Sequence, residues 1–223
     1  FTEVDAQMVV VDVVNPDGVS VGAASWHQPL SLLPSVPGPT GDDSSVTINL
    51  TSGQTAWLPS GLSFYGTTFT QMQVISNGRV MFGTANTSFS PSIAAAMTDS
   101  PSVGYWCDLN PSTAGTITVS NPTPGIVRVD WAQVPYFGQA TTATYGIQFD
   151  TNLGGTVTLD GLGGLQTGTG SAWLGISAGS LGATDPGATM FTAGSAGTGT
   201  AALDMIYAFG TAGSLAVGVN QII

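Results

Sequence analysis

The alternation of apolar and polar positions is the clearest signal in the chain. Gln7 to Val14 is its strongest β run, with Val9, Val11 and Val13 on one face and Met8, Val10 and Val14 on the other. A strand apolar on both faces expects cover on both sides. At about 3.3 Å per residue such a run spans about 25 Å, enough to cross a sandwich. Asn15-Pro16-Asp17-Gly18 then forms a turn, and Val19 to Val21 can return as a hairpin partner.

From there to about Ser45 the pattern is lost. Pro29, Pro34, Pro37 and Pro39, with Gly38 and Gly41, predict an irregular arm without helix or regular strand. Trp26, Leu30, Leu32 and Leu33 are too apolar for a free tether and are expected to dock, on their own domain or on a neighbour.

Beyond the arm, short alternating runs return. Candidate strands are Val46–Leu50, Leu62–Tyr65, Met72–Ile75, Arg79–Phe82, Val103–Asp108, Gly115–Val119, Ile126–Trp131, Ala143–Phe149, Gly155–Leu159, Ala172–Ile176, Thr189–Phe191, Met205–Phe209 and Leu215–Val219. Asn77-Gly78 is a tight-hairpin signal between two of them. Only Ile93–Met97 reads as a helical turn, and the Gly-, Ala- and Thr-rich tract from Gly161 to Gly199 is weakly patterned. Many short strands separated by turns predict an all-β fold, a jelly-roll or immunoglobulin-like β-sandwich with an N-terminal extended strand and a Pro-rich arm. The expected organisation is a strand at 1–14, an arm at 15–45 and a sandwich at 46–223.

Tyr105-Trp106-Cys107-Asp108-Leu109-Asn110-Pro111 is the densest meeting of large apolar and turn-forming residues. Trp106 is expected to drop into the core with Tyr105 facing the other way, and Asp108, Asn110 and Pro111 to stop the strand in a polar corner.

Composition removes several classes of function. Charged residues are 7% of the chain against roughly a quarter in an ordinary domain, there is no Lys, and the formal net charge is -11. That balance argues against nucleic acid and anionic membrane as partners. No apolar run approaches the ~18 residues a membrane-spanning helix needs. A surface of Ser, Thr, Gly, Ala, Asn and Gln lacks the usual electrostatic defence against self-association; selection against Lys and Arg in an extracellular protein, as for protease resistance, or cover by identical neighbours or by glycan would each account for it. Cys107 is the only cysteine, so no intrachain disulfide forms, and a buried small hydrophobe is expected there. A start at Phe1 fits a processed, exported chain or a fragment, hence an extracellular or cell-surface location.

Candidate chemistry is sparse. His27 is the only histidine and lies in the arm with no nucleophile elbow in the chain, and Glu3 is the only Glu, so neither a Ser-His-Asp triad nor a facing carboxylate pair is expected. Asp150-Thr151-Asn152 begins like a calcium loop but lacks its closing carboxylate and reads as a hairpin turn. Asp42-Asp43 could bind a hard cation weakly, and no metal or cofactor is expected overall. Asn49-Leu50-Thr51 and Asn86-Thr87-Ser88 match the N-glycosylation triplet. Of the five tryptophans, Trp26 and Trp57 are the candidates for exposed sugar-stacking rings.

Ser76-Asn77-Gly78, Phe82-Gly83, Trp106-Cys107-Asp108-Leu109-Asn110-Pro111 and the Trp131-Ala132-Gln133-Val134-Pro135 strand ending resemble a β-sandwich family common in secreted and surface proteins of environmental bacteria. The resemblance covers roughly residues 57 to 180 and implies structural roles for Asn77, Gly78, Trp106, Asp108, Asn110, Pro111 and Trp131. Cys107 stands where that family carries the first Asp of an Asp-Asp pair. The layout also resembles protomers of extracellular fibrils from environmental samples, whose N-terminal strand completes a neighbour's sandwich. The expectation is therefore a non-enzymatic subunit of an extracellular filament that polymerises head to tail through residues 8–14. Folding back of the same run onto its own sandwich stays open, as does a monomeric carbohydrate-binding or adhesion module.

Overall fold

A computed structural model of the protein describes residues 34–152, 156–161, 165, 170–181, 188–191, 205–209 and 215–218. The N-terminal run Met8–Val14 and the arm residues Trp26, His27, Leu30, Leu32 and Leu33 lie outside the described residues.

The fold is an all-β sandwich. One sheet has seven strands in the order β1 (Ser35–Pro37), β8 (Thr116–Ser120), β9 (Ile126–Pro135), β10 (Thr142–Asp150), β11 (Thr156–Asp160), β14 (Met205–Phe209) and β15 (Leu215–Gly218). The other has six, in the order β13 (Ala188–Phe191), β12 (Ala172–Ser177), β7 (Ser102–Trp106), β6 (Arg79–Met81), β5 (Gln71–Ile75) and β2 (Ser45–Asn49). A hairpin of β3 (Leu62–Phe64) and β4 (Thr67–Phe69) stands apart from both. All pairings within the two large sheets are antiparallel.

The period-two pattern sets which residues meet between the sheets. Ile117, Val119, Val127, Val129, Trp131, Tyr145, Ile147, Phe149, Val157 and Leu159 of the seven-stranded sheet join Ile48, Met72, Val74, Val80, Val103, Tyr105, Leu174 and Ile176 of the other in one buried cluster. Trp131 and Tyr145, cross-strand neighbours, stack with ring centroids 4.9 Å apart. Every predicted strand from Val46 onward is present. β4 was not expected, and β9 runs on to Pro135 instead of stopping at Trp131.

Two expectations need correction. β1 falls inside the stretch expected to be irregular arm. Gly38 donates to the Ile117 carbonyl at 2.8 Å and Asn121 to that of Pro34 at 2.9 Å, so the residues of that parity bond β8 while Ser35 and Pro37 turn their backbone outward. A proline whose missing N–H faces away from the ladder is compatible with an edge strand. Trp106 is fully buried, but not between the sheets. Its neighbour Tyr105 takes that place, edge-on to Tyr145, and Trp106 packs with Trp173 and Ala96 on the outer face of the six-stranded sheet. There the segment 84–100, carrying the helix α1 (Ile93–Thr98), lies over the strands as a strap, so β7 is buried on both faces.

Candidate functional site

The polar corner after β7 is organised by Asn77, whose side chain is fully buried. Its Nδ2 donates to Asp43 Oδ1 at 2.7 Å and to the Thr87 carbonyl at 2.9 Å, and its Oδ1 accepts from the Leu109 N–H at 2.9 Å. The Asn77 carbonyl accepts from Cys107 at 3.2 Å, and Asn110 donates to Pro135 at 2.8 Å. One hairpin residue thus joins the strap, the Asp43 turn and the corner, and the corner reaches the end of β9. Gly78 is required beside it. Its φ is 89° and its carbonyl accepts from the Tyr105 N–H and the Tyr145 hydroxyl, while a Cβ there would meet the Tyr105 carbonyl at 2.0 Å. Pro111 is buried at the stop, and the Asn110 side chain caps the turn by accepting from Ser112.

This corner brings Asp108 to Asp42 and Asp43. Each offers a carboxylate oxygen, all within 4.8 Å of one another. Partial burial and the two neighbouring carboxylates push the Asp108 carboxyl up to about 6, and partial desolvation with Asp43 alongside raises Asp42. Three carboxylate oxygens in reach of one point are hard-cation ligands, although calcium takes six to eight. Asn77 turns its amide N–H toward Asp43, so it is a donor and no further ligand. Residues 42–43 and 108 are far apart in sequence, and no spacing rule joins them.

Both cations of the chain are consumed internally. Arg79 is fully buried, its guanidinium carbon 3.4 Å over the Trp106 ring, with Nη1 3.3 Å from Asp99 Oδ2 and Nη2 donating to the Asn86 carbonyl at 3.0 Å. Desolvation lowers this guanidinium to about 10 against the opposing pull of Asp99. Trp106 Nε1 donates to the Ser88 carbonyl at 2.7 Å, which fixes the strap above it. Arg128 lies on the other sheet and binds Asp160 through both terminal nitrogens, at 2.6 and 2.8 Å, with Nε on Asp130 at 2.8 Å. Gly146 leaves room for it, because a Cβ there would sit 2.1 Å from Arg128 Nη2. Neither arginine is free to hold a phosphate.

No family model, curated protein or solved structure matches this chain. The two glycosylation triplets differ. The Asn86 amide donates to Asp99 at 2.8 Å and its oxygen accepts from Ser88 at 2.9 Å, so it is committed to the strap. Asn49 is half-buried on β2, and its oxygen accepts from Thr51 and Ser52 at 3.2 and 3.1 Å. Trp57 is partly buried and packs against the core. Cys107 is buried and desolvation raises its thiol. Among the described residues no helix is long and apolar enough to cross a membrane. Phe89, Ile93, Met97 and Leu181 are each 40 to 52% exposed on or beside the strap, a feature that sequence reading missed.

Proposed function

We propose that this chain is a structural subunit of an extracellular filament that polymerises head to tail, each protomer donating residues Met8–Val14 as a strand to the sandwich of the next. The observation that carries the reading is that run itself, seven residues apolar on both strand faces and carrying only Asp12 as a charge. Such a segment needs cover on both sides and an open backbone edge to pair with. The sandwich offers β2 as a backbone edge, with Val46 half-buried against the core behind it. Charged residues are few, and both arginines are tied to carboxylates of their own chain. No catalytic role is assigned, and covalent sugar on such a Ser- and Thr-rich surface fits the same setting.

Burial of a Val or Met side chain stabilises by about 1.5 to 3 kcal/mol, so the run contributes on the order of 10 kcal/mol before ordering costs. Negative-stain microscopy of the full chain beside one lacking residues 1–14 tests the proposal. Fibres from the first and folded monomers from the second are expected. Monodisperse particles from both sink it, and an unfolded truncated chain points to self-pairing.

A further inference from the structure

We infer that the outer edge of β2 is where a second copy of this chain docks, and that its occupant is that copy's Met8–Val14. This rests on the filament reading above and adds to it the acceptor. At the two ends of β2, Ser44 accepts from the Ser76 N–H at 2.8 Å and Leu50 donates to the Thr70 carbonyl at 2.8 Å. The register pairs Val46 with Val74 and Ile48 with Met72, so residues of this parity spend their backbone groups on β5. Ser45, Thr47 and Asn49 therefore turn theirs outward. The Asn49 carbonyl takes the Thr55 hydroxyl, while the N–H and C=O of Ser45 and Thr47 have no partner among the described residues.

The β1 edge of the opposite sheet differs. The outward positions of β1 are Ser35 and Pro37, and Pro37 has no N–H to give. Pro37, with Pro39 just beyond the strand, blunts that edge as natural sheets blunt edges against pairing. β2 carries no proline and no charge from Ser45 to Asn49, and its inward Val46 is only half-covered beside fully buried Ile48. An added strand would pair with Ser45 and Thr47 and set an apolar side chain beside Val46.

The occupant must lack proline, bring apolar side chains at alternate positions and carry little negative charge, because Asp42 and Asp43 lie just before β2. Met8–Val14 meets all three conditions. About 20 residues separate Val14 from Pro34, a reach of up to about 70 Å, which is ample for a neighbouring molecule.

The test uses the full chain. Thr47→Pro removes an outward N–H at an edge position that tolerates proline, and is expected to raise the concentration needed for polymerisation about tenfold or more. Ser35→Pro, the matched change on β1, is expected to leave it unaltered. Near-ultraviolet circular dichroism shows that both variants are folded. In parallel, Thr47→Cys is combined in turn with Val9→Cys, Val11→Cys or Val13→Cys and oxidised. A ladder of disulfide-linked oligomers on a denaturing gel supports the inference. Fibres that persist in Thr47→Pro, or are lost in Ser35→Pro alone, overturn it while leaving the filament reading intact. An intramolecular bridge only overturns it in favour of self-pairing, and absence of fibres from the unaltered chain overturns both.

Discussion

Replacing Asn77 by Ala is the sharpest test of how the corner is held. The side chain is fully buried and makes three hydrogen bonds to three separate segments. Its loss leaves the buried Leu109 N–H without an acceptor, at a cost of about 1 to 3 kcal/mol. The Thr87 carbonyl and the Asp43 carboxylate also lose a donor, but Asp43 is exposed and water replaces much of that bond. The expected destabilisation is about 3 kcal/mol in all, or a fall in Tm of roughly 6 to 12 °C for a domain of this size. Urea unfolding followed by tryptophan fluorescence measures it. Asn77→Asp keeps the shape and the acceptor but sets a fourth carboxylate beside Asp43. Its deficit should be larger at pH 8 than at pH 4, where a protonated carboxyl donates again. A loss below about 1 kcal/mol for Asn77→Ala refutes the view that this one side chain holds the corner.

Other predictions follow from the charges and the thiol. The raised Asp108 carboxyl means that the folded state binds more protons than the unfolded one between about pH 4 and 6, so the native chain loses stability as pH rises through that window. Asp108→Asn should therefore be more stable than the parent above pH 7, by on the order of 1 kcal/mol after solvent screening, and equal to it below pH 4. Equal pH profiles would remove the electrostatic account. Gly146→Ala should displace Arg128 from Asp160 and cost about 1 kcal/mol, and the deficit should vanish in an Arg128→Ala background. Cys107 should resist an aromatic disulfide reagent in the native protein and react once unfolded; fast native labelling would contradict its burial.

Most strands were legible because they alternate, and alternation is a local property. Asn77-Gly78 was legible as a hairpin for the same reason, since a positive φ in a three-residue loop selects glycine. β1 was hidden because Pro34 and Pro37 read as breakers, and their tolerance depends on which way an edge backbone faces. The side chosen by Trp106 was not legible either. Tyr105 and Trp106 are both apolar, and only the strap decides that the second face of β7 is covered too. The meeting of Asp108 with Asp42 and Asp43 depends on how the two sheets are joined, which no window of sequence contains. The roles of residues 1–33 rest on pattern alone.

The strap gives the sandwich a second, smaller interior. Trp106, Trp173 and Ala96 form a cluster of their own, separated from the Trp131–Tyr145 stack by the thickness of one sheet. It is tied down by Arg79 on Trp106, by Trp106 on Ser88 and by the buried Ser177 hydroxyl on the Ala96 carbonyl at 2.7 Å. Two interiors on opposite faces of a sheet can open separately, the strap lifting as a unit while the main core stays closed. Hydrogen exchange would then divide into two tiers, with amides of the strap exchanging at a lower opening energy than those of β9 and β10. In that partly opened form two indole rings on adjacent strands would meet solvent on an otherwise intact molecule.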